Sequence, residues 1–160
     1  SGGRMTAVRG AVLPILEGRG VDLVLAGHSH SYERSFLLDG HYGDSTTLDP
    51  STMVLDGGDG DPAGDGAYVK ATGAHGGTVY AVVGSSARLD LGPLDHPAMA
   101  VALGVYGSLV LEIDGDRLTG RFLDETGAEL DRFVLVEPGV PLFRDDFELG
   151  SLARWRAAAP

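Results

Sequence analysis

The chain has 160 residues, of which 43% are hydrophobic, and this is enough for one modest domain with a core. Its 12 basic and 23 acidic residues give a net charge of -11, which argues against tracking of a nucleic-acid backbone and against binding to an anionic membrane surface. No cysteine is present, which excludes disulfides and thiolate metal sites.

The first predicted elements are a helix and a buried strand. In residues 4–17 apolar side chains recur at helical spacing, Gly18 and Gly20 can end the helix, and Pro14 is expected to kink or shorten it. Residues 21–26 are almost all apolar, as in a parallel strand that is covered on both faces. We expect the other strands of this sheet to lie outside the chain, in a longer protein.

The predicted strand runs directly into Gly27-His28-Ser29-His30. Gly27 lets the backbone turn sharply, and two imidazoles two residues apart on a loop can reach two neighbouring cations. Ligand sites in α/β sheets lie at the carboxyl ends of parallel strands, which is where this loop falls. The sequence therefore indicates a metal site, with incidental surface histidines as the alternative.

The next segment predicts a hairpin and a long loop. Residues 35–42 carry the turn signal Asp39-Gly40, and His41 is expected to face solvent. Residues 44–77 are rich in Gly, Asp, Ser, Thr and Pro and predict a loop at the rim of an active site, with His75 within reach of a substrate. Alternating Asp and Gly at residues 56–66 leave calcium binding open, although the EF-hand glutamate is missing.

The last part of the sequence predicts mainly strands. Residues 77–86 predict one strand, and His96 comes after it in a loop, where it can contact a substrate, donate a proton or be held by local hydrogen bonds. Residues 107–136 predict three strands of an antiparallel meander. The residues expected to face inward are Leu109, Leu111, Ile113, Leu118 and Phe122.

Residues 21–34, Val-Asp-Leu-Val-Leu-Ala-Gly-His-Ser-His-Ser-Tyr-Glu-Arg, resemble the last metal-ligand motif of the calcineurin-like metallophosphoesterases, in the branch that contains the purple acid phosphatases. Gly-Thr-Val-Tyr at residues 77–80 resembles a strand in their carboxy-terminal segment. The resemblance implies a fold of the α/β (α+β) class, the C-terminal part of a four-layer αββα sandwich that ends in the meander. It assigns residues 1–137 to the catalytic domain and leaves 138–160 as a linker and a truncated following module or disordered tail.

The resemblance also implies a function. Two metal ions, Fe, Zn or Mn, would promote hydrolysis of phosphate monoesters by attack of a metal-bound hydroxide. His28 would bind one metal and His30 the other, with Glu33 or Asp22 orienting a ring. His96 is a further catalytic candidate, and Tyr32 and His75 are candidates for substrate binding, although Tyr32 can instead structure the loop. The family likeness implies a secreted or extracytoplasmic location.

Part of the expected site is missing from this sequence. The earlier motifs of the family, Asp-x-His, a Gly-Asp loop and Gly-Asn-His, are absent, so we expect the segment alone to be inactive while the parent protein is a phosphatase. The alternative interpretation is a non-catalytic, β-rich binding or structural module of a secreted multidomain protein.

Overall fold

The computed structural model describes residues 4–90, 92–140 and 142, and of Arg4 and Met5 only the backbone. Most of the elements are short strands. The helices are α1 (Arg4–Glu17), α2 (Pro50–Met53) and a 3-10 turn (Ser45–Thr47), and the strands are β1 (Leu23–Ala26), β2 (Tyr32–Ser35), β3 (Leu37–Leu38), β4 (Val54–Asp56), β5 (Tyr68–Val69), β6 (Val79–Val83), β7 (Met99–Leu103), β8 (Gly107–Asp114), β9 (Arg117–Asp124) and β10 (Glu129–Val136). The molecule is of the mixed α+β class, as the sequence predicted.

Helix α1 confirms the first sequence prediction. It continues through Pro14 as far as Glu17, and the Gly18 amide still donates to the Pro14 carbonyl, at 3.0 Å. Pro14 cannot donate to the Gly10 carbonyl, but the helix continues for a further turn, so the proline does not shorten it. Three apolar side chains of α1 remain exposed among the described residues: Val8, Val12 and Ile15.

Four strands form the first sheet, in the order β1-β6-β2-β7. Strand β1 pairs with β6 in parallel, from Leu23 opposite Val79 to Ala26 opposite Val82, and β2 runs antiparallel to both β6 and β7. The strand at residues 21–26 is therefore confirmed, but the prediction that it is buried on both faces is wrong. It lies at the sheet edge, with Leu25 52% exposed. Three partner strands of this sheet are inside the chain, contrary to expectation.

The second sheet, in the order β5-β10-β9-β8, contains the predicted meander. Leu118 and Phe122 are buried, and Leu109 and Leu111 pack at the core, as predicted. Ile113 is 46% exposed, which contradicts the prediction. It lies at the end of the edge strand, next to the turn into β9, where no neighbouring element of the described chain covers it.

Side chains from both sheets meet in one core. Its buried members are Leu37, Tyr68, Val79, Leu118, Phe133 and Leu135. The ring of Tyr32 on β2 also stacks on Phe122 of β9, with centroids 3.9 Å apart. The loop after β1 is thus carried by a sheet that is packed firmly against the meander.

The predicted hairpin over residues 35–42 is wrong. Gly40 does adopt a turn conformation, with φ 82°, but β3 pairs with β4 and not with the residues after the turn. His41 is only 8% exposed, so the prediction of a solvent-facing side chain is also wrong. Residues 44–77 contain four short elements instead of a structureless loop.

The predicted tail falls mostly on residues 143–160, which lie outside the described residues. Among those that are described, no helix has the length and apolar character needed to cross a membrane.

Candidate metal centre

The two histidines of Gly27-His28-Ser29-His30 lie on the loop between β1 and β2, at the carboxyl end of the parallel strand β1. His28 has a φ of 79°, in the left-handed region that non-glycine residues seldom adopt. Its side chain is exposed, whereas His30 is half-buried. The backbone therefore turns at His28 and directs the chain into β2.

His30 is held by Asp90, which lies in the loop after β6. The His30 Nδ1 atom is 3.0 Å from Asp90 Oδ1, and the His30 amide donates to Asp90 Oδ2 at 3.2 Å. In return the Asp90 amide donates to the His30 carbonyl, also at 3.0 Å. The side-chain and backbone hydrogen bonds from His30 hold the pKa of Asp90 below its usual value. One ring nitrogen of His30 is thereby engaged, and among the described residues Nε2 has no hydrogen-bond partner.

Sequence reasoning offered Glu33 or Asp22 as the partner of a ligand histidine, whereas the partner of His30 is Asp90. The Asp22 carboxylate accepts from Lys70 at 2.6 Å, and Glu33 lies within β2. Asp90 is 60 residues away from His30 along the chain, so no local spacing pointed to it. The one signal in the sequence is that its loop comes after the strand predicted over residues 77–86.

Gly84 brings the loop after β6 close to the histidine loop. Its amide donates to the Ser31 carbonyl at 3.1 Å. A Cβ atom added at Gly84 would lie only 1.9 Å from the Ser29 carbonyl oxygen, so no other residue fits without a shift of the backbone. The glycine therefore supports the position of both histidines.

Tyr32 and Arg34 come directly after the loop and are fully buried. The Tyr32 hydroxyl donates to Asp131 Oδ2 at 2.6 Å, and burial, together with the negative charge of Asp131, raises the pKa of the phenol. The hydroxyl is thus engaged with Asp131 and buried, and a contact of Tyr32 with a substrate stays a prediction. The alternative in the sequence analysis, a role in structuring the loop, agrees with this contact.

His75 and His96 are not brought to the histidine loop. Strand β6 ends beside Tyr32, whereas His75 precedes its first residue, Val79. His96 precedes β7, whose first residue pairs with Ser35 at the far end of β2. Both histidines thus lie at the opposite end of the sheet from His28 and His30. The structure therefore does not bring His75 or His96 to the histidine loop, and substrate binding by His75 and catalysis by His96 stay predictions.

At that opposite end, His96 and His41 form a pair of rings with centroids 5.7 Å apart. Among the described residues, both ring nitrogens of His41 and Nε2 of His96 are buried without a hydrogen-bond partner. Burial lowers the pKa of each ring, and the charge of Arg9 lowers both further. Both effects favour the neutral form of each ring.

A second group with metal-ligand character includes Glu17, Asp39 and His75, whose ligand atoms all lie within 4.8 Å of one another. The His75 Nδ1 atom is 2.8 Å from Asp39 Oδ1. The Glu17 carboxylate already accepts from the Gly40 amide at 2.9 Å and from the hydroxyls of Tyr42 and Tyr80 at 2.5 Å. Three protein donors thus already occupy this carboxylate.

The loop at residues 56–66 uses its carboxylates for its own backbone. Asp56 accepts from the Gly58 amide at 2.9 Å, and Asp59 accepts from the Asp61 amide at 2.8 Å. These are turns closed by an aspartate side chain. No group of three metal ligands is found among the described residues of this loop, so the structure adds no support for calcium binding.

The chain shares its fold with part of a purple acid phosphatase. The match is to the structure of the enzyme isolated from yellow lupin (Lupinus luteus) seeds, with a TM-score of 0.55 and 16% sequence identity. It covers 86% of this chain and 21% of the lupin chain, so the present chain spans about a fifth of that protein. No family model and no curated protein matches the sequence.

The shared fold agrees with the sequence expectation of a metallophosphoesterase-like sandwich. At this level of identity the likeness describes architecture alone. The donor set itself is compatible with a metal, because neutral imidazole suits Fe, Zn and Mn, and His30 has one ring nitrogen held and the other available. Among the described residues, no group of three metal ligands includes His28 or His30.

Proposed function

We propose that this chain is part of a metal-dependent phosphoesterase that hydrolyses phosphate monoesters, with His28 and His30 as ligands to two metal ions. The observation that carries the proposal is the His30–Asp90 contact on a loop at the carboxyl end of β1. The phosphatase fold of the lupin neighbour supports it. Residues 1–137 would belong to the catalytic domain, and residues 138–160 to a linker and the start of another module or a tail.

In this proposal each of the two imidazoles binds a different metal ion. His30, oriented by Asp90, would present Nε2 to one metal, and His28, on its exposed left-handed turn, would bind the other. When bound, Fe, Zn or Mn would supply Lewis-acid activation of a phosphoryl group and a hydroxide nucleophile at neutral pH. Their positive charge would also allow an anionic substrate to approach a chain of net charge -11.

Two histidines do not complete a dinuclear site. Catalytic metal centres use three or more protein ligands for each metal, so the proposal requires carboxylate and histidine ligands from a preceding segment. We therefore propose phosphatase activity for the longer protein, and weak metal binding with little or no activity for these 160 residues. A secreted or extracytoplasmic location remains part of the same proposal.

Zinc binding to the 160-residue chain tests the ligands directly. Titration calorimetry with Zn²⁺ is expected to give a binding heat that His28→Ala and His30→Ala each reduce. His75→Ala is the comparison variant, because this exposed histidine belongs to the second group of metal ligands, at the other end of the sheet, so any binding heat that it removes comes from that group and not from the histidine loop. Unchanged affinity in both loop variants would overturn the proposal.

A non-catalytic binding or structural module is the second candidate. It is favoured by the buried contacts between the two sheets, which involve neither His28 nor His30: Tyr32 stacks on Phe122, and Arg34 pairs with Asp131. It predicts that the chain melts cooperatively in the presence of a chelator. It also predicts that His28→Ala has the same melting temperature as the wild type. A broad, non-cooperative melt without metal would count against it.

A further inference from the structure

We infer that Asp90 is a positioning residue that fixes which nitrogen of His30 carries the proton, so that Nε2 faces outward with a lone pair. The inference rests on the proposed function in one respect, since it takes His30 to be a metal ligand. It assigns a role to an aspartate that the sequence motif does not contain. The role concerns the ring of His30 and not the reacting atoms of a substrate.

The contact between the two residues is reciprocal. Asp90 Oδ1 lies 3.0 Å from His30 Nδ1, and Asp90 Oδ2 accepts from the His30 amide at 3.2 Å. The Asp90 amide in turn donates to the His30 carbonyl at 3.0 Å. Since the second oxygen is anchored on the backbone, the carboxylate cannot turn away without losing that bond. Its first oxygen is therefore held against the imidazole.

The chemistry of the two groups then determines the tautomer. An ionised carboxylate only accepts hydrogen bonds, so the ring nitrogen that faces it must be the donor. Nδ1 of a neutral His30 therefore carries the proton, and Nε2 is left with the lone pair that a metal requires. A carboxylate behind a histidine ligand also makes the other nitrogen more basic.

The two loops are held together by more than this pair. Gly84, at the start of the loop that contains Asp90, donates to Ser31, directly after His30. Its lack of a side chain allows the approach to the Ser29 carbonyl. Both side chains of the pair are partly exposed, at 34% for His30 and 49% for Asp90, so the contact between them contributes little to stability. We therefore take the main effect of Asp90 to be the orientation of the His30 ring.

The test compares Asp90→Ala with Asp95→Ala, an exposed aspartate of the same loop. Ring ¹⁵N chemical shifts of His30, measured at one fixed pH in the metal-free chain, report the tautomer. The wild type and Asp95→Ala are expected to show protonated Nδ1, and Asp90→Ala a shift toward protonated Nε2. Zinc affinity should fall by roughly 10–100-fold in Asp90→Ala only, the range typical for loss of such a partner.

Asp90→Asn is the second variant and serves if the alanine variant folds poorly. It keeps the shape of the side chain but leaves one accepting oxygen for the two donors of His30. The tautomer and the zinc affinity should therefore change in the same direction as in Asp90→Ala, but by a smaller amount. An unaltered tautomer in both Asp90 variants overturns the inference, whatever happens to zinc affinity. Zinc binding that survives His28→Ala and His30→Ala overturns the proposed function instead, and the metal-free tautomer still decides the role of Asp90.

Discussion

Arg34 on β2 and Asp131 on β10 form a buried, two-pronged ion pair that joins the two sheets. Arg34 Nε lies 2.7 Å from Asp131 Oδ2, and Nη2 lies 2.9 Å from Oδ1. The Tyr32 hydroxyl shares the same carboxylate, and the Tyr68 hydroxyl accepts from Arg34 at 3.1 Å. Because β2 begins directly after the histidine loop, this network fixes the strand on which the candidate site depends.

Removal of the arginine is expected to destabilise the whole chain. Arg34→Met leaves Asp131 charged and buried without its counter-ion, and breaking such a pair typically costs about 3–5 kcal/mol. Urea unfolding followed by circular dichroism measures the change in the free energy of unfolding. The double variant Arg34→Met with Asp131→Leu should lose less than the sum of the single variants, since it leaves no unpaired charge.

Arg121 provides the matched control for this prediction. Its contact with Glu112, at 3.4 Å, lies on the partly exposed face of the meander. Arg121→Met should cost no more than about 1 kcal/mol, as expected for an exposed pair. Equal losses for Arg34→Met and Arg121→Met would contradict the interpretation of a buried structural pair.

Local sequence signals were sufficient for several elements. Helical spacing predicted α1, and the turn at Asp114, Gly115 and Asp116 with its flanking apolar runs predicted the join between β8 and β9. These signals work because hydrogen bonds within a helix or across a tight turn connect residues that are near in sequence. The shared loop of His28 and His30 could also be predicted, because the two residues are close in sequence.

Contacts between distant residues could not be predicted in this way. Leu37 and Leu38 pair with β4 across a sequence gap, although Asp39-Gly40 looks like a hairpin turn. Asp90 reaches His30 across 60 residues, and Asp131 reaches Arg34 across 97. Such pairs are set by how the sheets pack, and a single sequence carries no spacing rule for them. The placement of His75 and His96 away from the histidine loop has the same cause.

The buried histidine pair predicts loss of stability in acid. The pKa of His41 and that of His96 are lowered in the folded chain, chiefly by burial. The unfolded chain therefore binds more protons below the ordinary histidine pKa of about 6.5, and the free energy of unfolding falls as the pH falls through that value. Thermal melts between about pH 7.5 and pH 5.5 should show a larger drop in Tm for the wild type than for His41→Phe.

His75→Phe is the control for the acid prediction, because this side chain is more than half exposed and lies outside the buried pair. Its Tm should fall with pH as steeply as that of the wild type. If His41→Phe kept the wild-type slope, the buried pair would not be the origin of the acid sensitivity.

Gly84→Ala is expected to disturb the candidate metal centre from outside it. The added methyl group would lie 1.9 Å from the Ser29 carbonyl, so the histidine loop has to move. Forced contacts of this kind cost about 1–3 kcal/mol, and zinc affinity should fall together with stability. Gly92→Ala is the control, since a Cβ there meets nothing within 4 Å. A zinc affinity equal to that of Gly92→Ala would show that the loop tolerates the displacement.

Glu17, at the last position of α1, is a buried carboxylate at the helix end where negative charge is unfavourable. Its oxygens accept from the hydroxyls of Tyr42 and Tyr80. Hydrogen bonds to charged groups contribute about 1.5–3 kcal/mol, so Tyr80→Phe should lower the free energy of unfolding by an amount in this range. Tyr42→Phe should change it in the same direction, and urea unfolding measures both.

Tyr106→Phe is the matched control for the two hydroxyl deletions, because Tyr106 is exposed. It should change the free energy of unfolding by no more than about 0.5 kcal/mol. If Tyr80→Phe behaved like Tyr106→Phe, the hydrogen bond from Tyr80 to Glu17 would not contribute to stability.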